Sequence, residues 1–224
     1  MIKKITNWHR FSFNMQSEHF YNYIETMEGS IESHKNSLEK RFEEQSKDIK
    51  DPAIKQEFYE HAFLDDYHDL DKTYTLILRK SLFISLYSFM ESELRSIAKN
   101  IEKQNLTNKK LADFNDRGIY LYLVYLEKTN KININISKEN RKKFKEYNNL
   151  RNYFVHNDNN SINQKQYDKL KILPYLAFEK FPHKDYTNYQ VEALEKDFNP
   201  HYLNLISLFF DELFKGIEES NITL

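Results

Sequence analysis

Apolar side chains recur along this chain at intervals of three and four, the period that gathers them on one side of an α-helix. Phe20, Ile24, Met27, Ile31, Leu38 and Phe42 predict one long helix over 17–50 with a thin apolar stripe. Asp51-Pro52 ends it, because the residue before a proline is pushed out of the α region while proline suits a first helical turn. A second helix is expected over 52–71. Its polar side carries Glu57, Glu60, Asp65 and Asp66 together with His61 and His68, and reads as a solvated acidic face. The strongest stripe runs through 73–104, where Phe83, Tyr87, Met90, Leu94 and Ile97 are widened by Leu82, Leu86 and Phe89. That segment is the expected core helix. Ser81, Ser85, Ser88, Ser92 and Ser96 also recur along it, a small-residue seam that would let another helix approach closely.

A turn over 105–108 leads to a helix over 109–128 through Leu111, Phe114, Ile119, Tyr122, Leu123 and Leu126, with Gly118 expected to bend it. Residues 130–136 alternate Asn with Ile or Lys and suit a short extended link. Ser137 then opens a helix over 138–156, which the polar run 157–160 ends. Residues 161–196 lack a helical period, and short strands and irregular loop both remain open. Asn199-Pro200 reads as N-cap and first-turn proline of a last helix, 200–217, whose Tyr202, Leu205, Ile206, Phe209, Leu213 and Ile217 form a broad apolar face. Gly216 lies near its end, and 218–224 are expected to fray.

Composition narrows this to an all-α bundle. Three Gly and four Pro in 224 residues leave few breakers, and 40% hydrophobic residues can bury one sizeable core. The expected organisation is an N-terminal helical extension over 1–71 and a helical domain over 72–224. The absence of cysteine excludes disulfides and thiolate metal sites. No run approaches the roughly 18 apolar residues of a membrane span, and the N-terminus lacks a signal-peptide core, so a cytoplasmic protein is expected. The net charge of −1 hides an asymmetry: −6 over 1–71, +9 over 72–156 and −4 over 157–224. A basic middle third favours a polyanionic partner.

Within that basic third, helix 138–156 ends in Tyr147-Asn148-Asn149-Leu150-Arg151-Asn152-Tyr153-Phe154-Val155-His156. At about 100° per residue, Phe144, Tyr147, Leu150 and Phe154 read as the buried side, and Arg151, Asn148, Asn152 and His156 as the polar side, with Val155 among them. An arginine followed by a small polar residue, a short spacer and a histidine, in a helical chain, resembles the active-site signature of the HEPN superfamily of metal-independent ribonucleases. The resemblance spans about 73–217. Only Arg151, Asn152 and His156 match the functional motif, and the text around Glu91 resembles the family's first core helix.

The resemblance implies catalysis by Arg151, Asn152 and His156 in a cleft built by two copies of the chain, with Glu91 and Asn148 supporting, neither metal nor cofactor required, and Val155 and Tyr153 at the interface. The chemistry suits the residue types. RNA carries its own nucleophile in the 2′-hydroxyl, histidine exchanges protons near neutral pH, and arginine offers a fork of donors matched to phosphate oxygens. A helix C-terminus favours the protonated imidazole at His156. Lys142, Lys143 and Lys145 are the expected RNA contacts. Two other readings stand beside this one: a catalytically inactive RNA-binding or scaffold module, and the nuclease half of a toxin or antiviral-defence pair restrained by a partner protein. Some family members carry a Tyr two positions after the His as acceptor of nucleotidylation, whereas this chain has Asp158.

Overall fold

The computed structural model describes residues 2–104, 108–156, 161–182 and 187–220, with side chains described from residue 8 onward. The predicted turn over 157–160 and most of that over 105–108 lie outside these residues, as does Asp158.

Helix α1 (Ile2–Ser46) begins well before the predicted residue 17. Phe13 lies seven residues ahead of Phe20 and so extends the same stripe. It is buried, with its ring 4.3 Å from Phe210 and 5.4 Å from Phe89. The first half of α1 thereby lies alongside the core. Its far end leaves the core and packs against α2 (Pro52–Ala62) through Phe42, Phe58, Tyr59 and Phe63. Asp51 caps α2 as expected, accepting from the Ala53 N–H at 2.8 Å.

The helix expected over 52–71 breaks at Phe63, whose φ of −131° leaves the helical region while its side chain is 2% exposed. Burying this ring against the Phe42 cluster outweighs helical continuity, and no Pro or Gly announces it. Then α3 (Leu64–His68) passes through a π-helical turn (Asp69–Tyr74) straight into α4 (Thr75–Lys103), so helical backbone continues across residues 71 and 72. In α4, Phe83, Leu86, Met90, Leu94 and Ile97 are fully buried. The serine seam is not covered by any of the described helices: Ser81, Ser85, Ser88 and Ser92 are exposed. The first three hydroxyls donate to the carbonyls of Ile77, Ser81 and Ile84.

The expected helix over 109–128 is instead a 3₁₀ turn (Leu111–Asp113), an extended stretch and a short α5 (Ile119–Val124) that widens into a π turn (Tyr125–Thr129). Gly118 takes φ 58° and precedes α5 rather than bending a helix, because positive φ costs glycine little. The link that follows is extended, as expected, and buries Ile132 and Ile134. It crosses the last helix at Gly216, where a Cβ would meet the Asn133 carbonyl oxygen at 2.1 Å. Gly216→Ala is therefore expected to destabilise the fold by about 1–3 kcal/mol through overpacking, measured as a lower denaturant midpoint.

Residues 161–196 hold strands, so the chain is mostly helical but not strictly all-α. Strands β1 (Ile162–Asn163), β2 (Leu176–Pro182) and β3 (Thr187–Leu194) form an antiparallel sheet in the order β1-β3-β2, with helix α7 (Gln164–Leu170) following β1. Along β3, Tyr189, Val191 and Leu194 face inward. Ala177 pairs with Ala193 and Phe178 with Val191, so Glu192 is a bulge that breaks the two-residue alternation. Helix α8 starts at Phe198 and runs to Glu219, longer at both ends than expected. Asp197 stands at its N-cap. Asn199, the expected cap, is buried and donates to the Arg79 carbonyl at 3.0 Å. Arg79 itself grips Glu28 through two bonds of 2.7 and 2.6 Å and reaches the Leu194 carbonyl at 2.8 Å, tying α1, α4 and β3 together.

Candidate functional site

Helix α6 (Lys138–His156) has the predicted bounds. Ser137 begins it: its hydroxyl accepts from the Asn140 N–H at 3.1 Å, and its carbonyl accepts from the Arg141 N–H at 3.0 Å. Its rotation is set by burial of Phe144, Tyr147, Leu150 and Tyr153. Tyr147 packs 4.3 Å from Tyr202, and Phe144 packs 5.4 Å from Phe209. Tyr153, expected at an exposed interface, is thus a core residue at 8% exposure. It follows Leu150 by three and so shares its side of the helix. Its phenol is pushed up by burial, opposed by a hydrogen bond to the Val191 backbone.

The same geometry relocates Arg151. Four residues after Tyr147, it lies about 40° from that buried ring rather than on the polar side. Its Nε is buried without a hydrogen-bond partner, its guanidinium carbon lies 5.6 Å from the Tyr87 ring centroid, and Nη1 donates to Asn152 Oδ1 at 3.1 Å. Asn148 accepts from the Tyr87 hydroxyl at 2.6 Å. That phenol is held well above its usual range, first by burial and then by the Glu91 carboxylate, with Arg151 opposing. Glu91, expected to support the site, forms its ion pair with Arg95 at 3.6 Å. Both Glu91 and Arg151 act on the Tyr87 phenol, a residue that its place in an apolar stripe marks simply as core.

The opposite edge of α6 carries Lys142, Lys145, Asn149, Asn152 and His156 within an arc of about 80°. His156 and Asn152 are exposed, and together with Asn149 and Tyr153 they line a cavity of about 440 Å³. Its far wall is Ser161, Ile162, Gln166, Lys169 and Leu170. His156 lies about 140° around the helix from Arg151, so a single chain brings Asn152 to both residues without making them converge. Of the three lysines, Lys142 and Lys145 are exposed on the cavity strip, whereas Lys143 pairs with Glu139 at 2.9 Å and is only 20% exposed. Lys143 also helps burial hold the His201 imidazole below its usual value. It is the one member of the basic trio committed elsewhere.

Ser161, Gln166 and Lys169 were not singled out from the sequence. A signal existed: Asn163 and Gln166 form a reciprocal capping box, side chain to backbone N–H at 3.0 and 2.9 Å, the spacing that opens a helix. Among the described residues, no three His, Cys, Asp or Glu side chains stand close enough to hold a metal ion, and no helix is long and apolar enough to cross a membrane. No family model, curated protein or solved structure matches this chain.

Proposed function

We propose that this chain is an endoribonuclease of toxin or defence type that needs no metal and works as a homodimer. The observation that carries the reading is the exposed His156 lining the cavity between α6 and α7, on the same helix edge as Asn152, Lys145 and Lys142. A proton-transfer group beside a track of cations suits a phosphodiester backbone. In the reaction, the ribose 2′-oxygen loses its proton and attacks phosphorus, the bond to the 5′-oxygen breaks, and that oxygen takes up a proton. The products are a 2′,3′-cyclic phosphate and a 5′-hydroxyl. His156 moves the proton, Arg151 stabilises charge on the phosphoryl oxygens, and Asn152, already bonded to Arg151, keeps the two in register.

The homodimer enters because Arg151 and His156 diverge on one helix, so a cleft holding both draws one from each copy. The exposed Val155, 42% accessible, lies on the Arg151 edge and fits a two-fold contact in which the same patch meets itself. A second reading, an inactive RNA-binding or scaffold module with or without a protein partner, is favoured by the half-buried setting of Arg151 against Tyr87. Cleavage of total RNA by wild type and not by His156→Ala separates the two.

The basic strip has its own test. Changing Lys142 and Lys145 to Ala is expected to weaken binding to single-stranded RNA. It should also flatten the slope of log K against log salt by about 1.4, since each phosphate contact contributes about 0.7. Lys143→Ala should do less, because its ammonium is already paired. Unchanged slopes in the double variant would make the strip a solvated surface.

A further inference from the structure

We infer that the cavity between α6 and α7 is a nucleotide subsite that takes one unstacked base from a single-stranded RNA, while the strand's phosphates run along Lys145 and Lys142. The inference rests on the ribonuclease reading for the identity of the strand. The cavity floor is apolar, with Tyr153, Ile162 and Leu170 only 8%, 1% and 2% exposed. Its volume of about 440 Å³ falls in the range of small-molecule sites.

Three carboxamides stand around that floor, and each has one end already held. Asn149 donates its Nδ2 to Glu146 at 2.7 Å, which leaves Oδ1 as a free acceptor. Asn152 accepts from Arg151 on Oδ1, which leaves Nδ2 as a donor. Gln166 accepts from the Asn163 N–H on Oε1, which leaves Nε2 as a donor. The free set, two donors and one acceptor, is pre-oriented by bonds within the protein, and a base edge carries such complementary groups. No carboxylate lines the cavity among the described residues, while Lys169 stands at its wall to meet an adjoining phosphate. Along α6, Lys142 to His156 spans about 21 Å, enough for a short strand rather than one nucleotide.

The test uses binding alone, so it is independent of cleavage. The full chain is titrated by fluorescence anisotropy with a labelled 2′-O-methyl octamer, which lacks the nucleophile, and with the same octamer stripped of its bases. The base-free strand is expected to bind about tenfold more weakly, since base stacking and edge contacts are lost. Gln166→Leu and Asn152→Leu should erase that difference. Asn152 is exposed, so its variant keeps the test valid if loss of the capping box unravels α7. Equal binding of the two strands to wild type, or full discrimination retained by both variants, would overturn the subsite. Competition by uridine monophosphate as potent as the octamer would assign the cavity to a free nucleotide and overturn the strand. Base-dependent binding without cleavage of ordinary RNA would leave the subsite standing and defeat only the ribonuclease reading.

Discussion

Replacing His156 by alanine is expected to slow RNA cleavage by about 10²- to 10⁴-fold, the usual cost of losing a general acid or base. Affinity for RNA should change little, because the imidazole contributes a proton path more than a standing charge. Arg151→Ala should cost a comparable factor in rate and also weaken binding, since it deletes a charge-assisted phosphate contact present before and during the reaction. Arg151 carries a second signature. Its Nη1 holds Asn152 and its guanidinium lies over Tyr87, so Arg151→Lys, which keeps the charge but loses the planar fork, should restore binding more than rate. Gel-based cleavage rates and anisotropy on the same preparations check both halves. Equal rates for wild type and His156→Ala would remove the histidine from the mechanism.

The other large effect concerns the dimer. On the proposed reading, because Arg151 and His156 lie about 140° apart on one helix, a productive pair would combine the arginine of one copy with the histidine of the other. Mixing the two inactive proteins, Arg151→Ala and His156→Ala, should therefore restore activity. Random exchange makes about half the dimers mixed, each with one of its two pairs intact, so recovery to about a quarter of wild type is expected. Val155→Asp, which places a charge on the exposed edge beside Arg151, should give a monomer by light scattering and lose cleavage to a similar degree as the catalytic variants. Full activity in a demonstrated monomer would end the composite-cleft account.

Much of this arrangement is legible in the residues, and the exceptions have physical causes. The start of α6 follows from Ser137, and the Asp51 cap is equally plain. The buried stripes of α4 and α8 also stand where the spacing puts them. The rotation of α6 is harder. A cation is ordinarily assigned to the solvent side, yet Arg151 follows Tyr147 by one turn and is carried inward, its charge resting on the Tyr87 ring. Tyr153 is carried inward by the same rule. Residues 161–196 resist reading because the Glu192 bulge resets the strand's alternation, and because β1 pairs with β3 across the intervening α7 and β2. The cavity wall went unseen with it, since Ser161, Gln166 and Lys169 belong to that stretch. Phe63 interrupts its helix for the sake of an aromatic cluster, a tertiary cause with no local marker.

The central claim is the chemistry assigned to α6, and the ends of the cleaved RNA test it most directly. Wild-type protein and the His156→Ala variant are each incubated with total RNA in the presence of EDTA, and the termini are analysed. The account predicts fragments from the wild type alone, ending in a 2′,3′-cyclic phosphate and beginning with a 5′-hydroxyl. Cleavage abolished by EDTA and restored by a divalent ion, or 5′-phosphate ends from either protein, would contradict it.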